Sequence, residues 1–120
     1  MQRILVAEDD PVLSMIYEIT LTEAGFDVLL CSDGQEAFEA LKSFSPDLVI
    51  TDHTMPRMSG GDLVRAVRRD LPGAATLMAS AVDPRLLEND QHADARLEKP
   101  VTPGRLLQTV RELEAAPPRA

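Results

Sequence analysis

An alternation along the chain restricts its fold more than any other feature. Short apolar runs at Ile4 to Ala7, Val28 to Cys31, Leu48 to Thr51, Thr76 to Ala79 and Ala95 to Glu98 are separated by stretches with apolar residues every three or four positions. Runs of that length read as strands and the intervening stretches as helices, so the pattern predicts βα units and a mostly parallel sheet. Five units can be counted, the last two strands being short and weak. A length of 120 residues suits one core and is too short for two.

The periodicity predicts a first helix from Pro11 to Ala24, with Val12, Ile16 and Ile19 inward and Gly25 just past its end, where a positive φ is tolerated. A second runs from Gln35 to Phe44, with Ser32 and Asp33 as candidate caps, Ala37, Leu41 and Phe44 on one face, and a stop before Pro46. A third spans Asp62 to Leu71 on Leu63, Val67 and Leu71, with Arg65, Arg68 and Arg69 on its solvated side, and "LPG" ends it. In "VDPRLLENDQHAD" only Leu86 and Leu87 suit a core, so the fourth helix is expected to be short or irregular. The last helix starts near Pro103 and turns Leu106, Leu107, Val110 and Leu113 inward. Residues 1–115 are thus read as the domain, and residues 116–120 as a disordered C-terminal tail.

Twelve basic against twenty acidic residues give a net charge of −8, which argues against direct nucleic-acid binding and suits an acidic site that attracts a divalent cation. No apolar run approaches the roughly 20 residues of a membrane span. The first strand begins at once and ends in acid, unlike a signal peptide. A lone Cys31, in the apolar "VLLC", reads as a small buried hydrophobe and agrees with a reducing, cytoplasmic compartment.

The polar residues that interrupt the strands all fall at carboxyl ends. Glu8, Asp9 and Asp10 follow the first strand, Asp52 ends the third, Ser80 the fourth and Lys99 the fifth. Singly, each has an ordinary explanation: an N-cap ahead of Pro11, a turn residue, a loop hydroxyl, a surface lysine. Jointly they point to a site, because the ligand crevice of an open α/β sheet lies outside those ends, where the strand order reverses. Phosphoryl transfer would use such a set, since its transition state spreads negative charge that a divalent ion and a lysine neutralise.

These residues carry a resemblance that covers nearly the whole chain. "ILVAEDDP", "PDLVITDHTMPRMSGGDL", "TLMASA" and "LEKP", in this order and at these spacings, resemble the diagnostic segments of the response-regulator receiver domains of two-component signalling. The resemblance implies a flavodoxin-like (βα)5 three-layer sandwich with strand order 2-1-3-4-5. It also implies that Asp52 accepts a phosphoryl group from a sensor histidine kinase or a histidine phosphotransfer protein. Asp9 and Asp52 would bind Mg²⁺ directly with the backbone carbonyl of Thr54, and Glu8 through water. Lys99 would pair with one phosphoryl oxygen, the Ser80 hydroxyl would donate to another, and Asp10 is left to serve the helix start. The expected protein is a monomeric receiver, either stand-alone or excised from a hybrid kinase, with no turnover beyond phosphorylation and dephosphorylation of Asp52. Its output would be protein contact at the face of strands four and five and the last helix, or phosphate flow.

Departures from the family pattern are visible. Arg96 stands where an aromatic residue usually does, so the usual aromatic relay is missing or replaced; the residue is read as lying on the exposed side of an edge strand or as contacting an acidic partner. His92 matches a usual Gly, the Ser80 to Lys99 interval is short, and Glu8 replaces the commoner Asp. His53 points away from Asp52 by strand alternation and is read as structural. Two other readings compete: a haloacid-dehalogenase-like phosphatase, because "DHT" fits its Asp-x-Thr pattern, and an unphosphorylated receiver-like adaptor. Chain order disfavours the phosphatase, whose motif lies on its first strand.

Overall fold

The computed structural model describes residues 2–53, 57–81 and 93–116. Its elements follow one another as β1 (Arg3–Ala7), α1 (Pro11–Glu23), β2 (Asp27–Cys31), α2 (Gly34–Phe44), β3 (Leu48–Asp52), α3 (Gly60–Asp70), β4 (Ala75–Ser80), β5 (Ala95–Glu98) and α4 (Pro103–Ala115). All strand pairs are parallel, and the sheet order is β2-β1-β3-β4-β5. The chain steps outward from β1 to β2 and then crosses back to β3, so the order reverses between β1 and β3. A crevice therefore opens outside their carboxyl ends.

Strand alternation divides the core into two layers. Ile4, Val6, Leu48, Ile50, Leu77, Ala79 and Leu97 face one side, under Leu13, Tyr17 and Leu21 of α1 and Leu106 and Val110 of α4. Leu5, Ala7 and Val49 face the other, under Ala37 and Leu41 of α2 and Leu63 and Val67 of α3. Helices on both faces explain why β1 and β3 are buried at every position but Arg3. Each helix has a side-chain cap that satisfies one of its free N–H groups. Asp10 accepts from Val12 N at 2.9 Å, Asp33 from Glu36 N at 2.8 Å, Ser59 from Asp62 N at 3.2 Å, and Thr102 from Arg105 N at 3.3 Å. Gly25 has φ +97° just past α1.

The structure corrects the sequence reading at three elements. The inner face of α1 is Leu13, Tyr17 and Leu21, while Val12 and Ile19 are 67% and 50% exposed and Ile16 is partly buried. Both sets satisfy helical spacing, so periodicity does not separate them; packing against the sheet does. The third helix starts at Gly60, two residues before Asp62, because Ser59 caps it. The fourth strand is neither short nor weak: Ala75–Ser80 has five buried residues and is paired on both sides. The expected short fourth helix, with His92, and residues 117–120 of the expected tail lie outside the described residues.

Candidate functional site

The chain leaves β1 through three acids that go separate ways. Glu8 is 2% exposed, its carboxylate accepting from Asp10 N at 3.1 Å and its carbonyl from the Ser14 hydroxyl at 3.1 Å. Asp9 is exposed. Asp10 turns back to cap α1, as expected. Asp52, the last residue of β3, is 9% exposed and in register with Ala79 of β4. Lys99 follows β5, its backbone N donating to Ser80 O at 2.7 Å. Its Nζ lies 3.0 Å from Asp52 Oδ2 and 3.5 Å from Glu8 Oε1. Among the described residues, Glu8, Asp9 and Asp52 offer carboxylate oxygens all within 4.8 Å of one another. The fold thus gathers residues 8, 9, 52 and 99 from three strand ends.

Electrostatically the cluster is short of positive charge. Burial, with the nearby Asp52 charge, holds the Glu8 carboxyl above its ordinary value of 4.5, against the Asp10 N–H and Lys99. Burial also works to lower the Lys99 ammonium, but the hydrogen bond to Asp52 and the two carboxylate charges outweigh it and raise it above 10.5. Because native Glu8 binds its proton more readily than unfolded Glu8, it subtracts stability at neutral pH. That penalty is relieved as pH falls through the raised value towards 4.5. Glu8→Gln is therefore expected to raise the melting temperature at pH 7 in metal-free buffer and to flatten the pH dependence of stability in that window. Thermal melts across pH would contradict this with an unchanged slope and a lower melting temperature at pH 7.

Glu8 Oε1 is buried without a hydrogen-bond partner among the described residues, its Lys99 contact being an ion pair at 3.5 Å. Three clustered carboxylates with an unsatisfied buried oxygen fit a hard cation with oxygen ligands, as Mg²⁺ is.

Residues 53 and 57–60, beyond the end of β3, are held from two sides. Gly60 N donates to His53 O at 3.0 Å, and a Cβ built on Gly60 would lie 2.0 Å from Asp52 O. A Cβ on Gly34, at the start of α2, would lie 2.3 Å from Met58 O. Arg57, at φ +69°, forms a two-pronged ion pair with Asp33, its Nε donating to Oδ2 and Nη2 to Oδ1 at 3.2 and 3.1 Å. The Glu36 N–H and then Arg57 hold the Asp33 carboxyl below its ordinary 3.8. Sequence reading identified Asp33 only as a cap; a partner 24 residues away leaves no local signal.

Ser80 is buried at the end of β4, on the same sheet edge as Asp52. Thr54 lies outside the described residues. His53 is half-buried, and its backbone N donates to Ala79 O at 3.0 Å. Arg96 corrects the exposed-edge reading: it is half-buried beside Met78, and its Nε is shielded from solvent with no hydrogen-bond partner among the described residues. Cys31 is buried, its thiol pushed up to about 11 chiefly by that burial, as befits an inert core residue. From Glu8 and Asp9 a crevice of about 400 Å³ runs between α1 and α2, past Ser14, Met15 and Glu36. Beside it α1 presents an apolar ridge of Val12, Met15 and Ile19 to solvent. None of the helices of the described residues is long and apolar enough to cross a membrane.

A doubly wound parallel sheet with an acidic, lysine-braced pocket at its switch point defines a class of α/β domain rather than a single protein. The family model of the response regulator receiver domain matches residues 4–111, and the chain belongs to that family. The DNA-binding response regulator MtrA of Mycolicibacterium smegmatis is 36% identical over 112 residues, covering 92% of this chain and 49% of that protein. The chain thus spans about half the length of the curated relatives first matched. Among solved structures, chemotaxis response regulator CheY4 of Vibrio cholerae is 28% identical with a TM-score of 0.88, covering 94% of this chain and 98% of that one. Response regulator TrrA of Thermotoga maritima, solved in complex with Mg²⁺–BeF, is 28% identical with a TM-score of 0.85, covering 94% and 99%. Receiver domains bind Mg²⁺ at an acidic pocket, and Glu8, Asp9 and Asp52 form such a pocket here. They are signalling modules that work with histidine kinases or phosphotransfer proteins.

Proposed function

We propose that Asp52 is the phosphoacceptor of this receiver, taking its phosphoryl group from a phosphohistidine of a sensor kinase or phosphotransfer protein. The observation that carries this reading is the Asp52 carboxylate at the end of β3, with Lys99 Nζ at 3.0 Å and oxygens of Glu8 and Asp9 within 4.8 Å. In the transfer, an Asp52 oxygen attacks phosphorus, the N–P bond breaks, and its electron pair stays on the departing imidazole. Lys99 then follows the new charge to a phosphoryl oxygen, and the Ser80 hydroxyl donates to another. Asp9 and Asp52 would hold Mg²⁺ directly with the Thr54 carbonyl, and Glu8 through water. Bound there, the ion supplies neutralisation of the charge that builds on the phosphoryl oxygens.

The donor is expected to seat on the apolar ridge of α1, which starts beside the site at Val12. The downstream partner would use the face of β4, β5 and α4, and the chain would act in the cytoplasm without turnover of an outside substrate.

Millimolar Mg²⁺ is expected to raise the melting temperature by several degrees. At a concentration a hundredfold above Kd, linkage stabilises the fold by about 2.7 kcal/mol. Melting curves with and without the ion check this. No shift in wild type, or an equal shift in Asp9→Ala, would contradict a metal pocket built from these acids.

A further inference from the structure

Tyr17 is the chain's single tyrosine, and there is no tryptophan. It is 1% exposed, in the middle of the inner face of α1, and its hydroxyl has no hydrogen-bond partner among the described residues. A purely apolar ring would fill that space without burying a polar atom, so the hydroxyl carries a desolvation cost that no hydrogen bond from the described residues offsets.

Several observations put Tyr17 on the face of the sheet that also carries the phosphoacceptor site. Ile4 and Val6 face the α1 layer, and alternation carries Glu8 to the same face. Leu48 and Ile50 do the same for Asp52, and Leu97 for Lys99. The first turn of α1 adjoins the site, since the Ser14 hydroxyl donates to Glu8 O at 3.1 Å. Helical side chains lean towards their helix N-terminus, which directs the Tyr17 ring up the core towards these three groups. Burial first, then the Glu8 and Asp52 charges, raise the phenol's pKa, so both carboxylates are near enough to weigh on it.

Among the described residues, two buried oxygens on this face therefore find no hydrogen-bond partner: Tyr17 Oη, which can donate, and Glu8 Oε1, which can only accept while ionised. At rest, the Lys99 ammonium 3.5 Å away compensates Glu8. When Lys99 turns to a phosphoryl oxygen, that compensation weakens while the carboxylate stays buried. We propose that Tyr17 is a positioning residue of the phosphoacceptor site, its hydroxyl donating to the Glu8 carboxylate once Lys99 has turned to the phosphoryl group on Asp52. The proposal rests on Asp52 being the phosphoacceptor. It gives the phosphorylated state a hydrogen bond that the resting state lacks, and so a means of coupling the site to the core under α1.

Tyrosine emission tests this directly, because the signal belongs to one residue and falls when a phenol hydrogen-bonds to a carboxylate. The full chain is treated with Mg²⁺ and acetyl phosphate, and intact mass gives the phosphorylated fraction in the same samples. Emission is expected to fall in proportion to that fraction, beyond any change caused by Mg²⁺ alone. Tyr17→Phe, which keeps the ring, is expected to melt no lower than wild type when unphosphorylated. Its phosphorylated fraction at a limiting donor concentration should be about tenfold lower, the scale of one hydrogen bond to a charged group. That deficit should vanish in a Glu8→Gln background. Wild type that gains phosphate with unchanged emission, or a Tyr17→Phe that is phosphorylated as fully as wild type, would overturn the role of Tyr17 and leave Asp52 as acceptor. Wild type that gains no phosphate would overturn both.

Discussion

Gly60→Ala is expected to cost about 3 kcal/mol of stability, the upper end of what a methyl group forced into packed space usually costs. The added Cβ would lie 2.0 Å from Asp52 O, 2.9 Å from Asp52 C and 3.0 Å from His53 Cα. These are backbone atoms at and just beyond the end of β3, which is held between β1 and β4, so no flexible side chain can give way. Either α3 lifts at its start and the Gly60 N–H to His53 O bond is lost, or the end of β3 moves and takes Asp52 away from Lys99. Both outcomes weaken the site as well as the fold. Gly104→Ala is the contrasting case: nothing lies within 4 Å of its added Cβ, near the start of α4, and the helix should gain up to about 1 kcal/mol. Denaturant unfolding of the two variants checks both signs. Equal stabilities would show that the contact between α3 and β3 is looser than the distances imply.

Asp52→Asn is expected to fold as wild type does and to lose phosphoryl uptake completely. The replacement keeps shape and size, and it exchanges one loss for one gain. Lys99 loses its charged partner at 3.0 Å, while Glu8 loses a neighbouring like charge that helps to raise its pKa. With Lys99 partly exposed, the net effect on stability should stay within about 1 kcal/mol. The effect on chemistry is all or none, because a neutral amide provides no oxygen nucleophile to form an acyl phosphate. The response of the melting temperature to Mg²⁺ should shrink too, with one of three clustered carboxylates gone.

The site was legible in the sequence because strands announce their ends. A carboxylate, hydroxyl or lysine that stops an apolar run must sit at the sheet edge, and Glu8, Asp52, Ser80 and Lys99 all obey that logic. The parallel sheet followed from alternation alone, whereas its order came from resemblance, since no local pattern says that β3 returns to the far side of β1. Less legible were features set by packing between distant segments. Val12 and Ile19 fit a helical stripe as well as Leu13, Tyr17 and Leu21 do, and only contact with the sheet separates them. Gly60 and Gly61 read as loop, yet Gly60 is helical because α3 must pass directly over the end of β3. The run Thr76 to Ala79 reads as a short, weak strand, and pairing on both sides supplies what its length and composition do not. The clamp from Asp33 to Arg57, and a tyrosine hydroxyl with no hydrogen-bond partner among the described residues, leave no trace in periodicity or spacing.

The most direct test of the account is the intact mass of the protein after incubation with acetyl phosphate, with and without Mg²⁺. A phosphoacceptor at Asp52 predicts the gain of one phosphate in wild type, dependent on Mg²⁺ and absent from Asp52→Asn. No gain in folded wild type, or the same gain in Asp52→Asn, would contradict it.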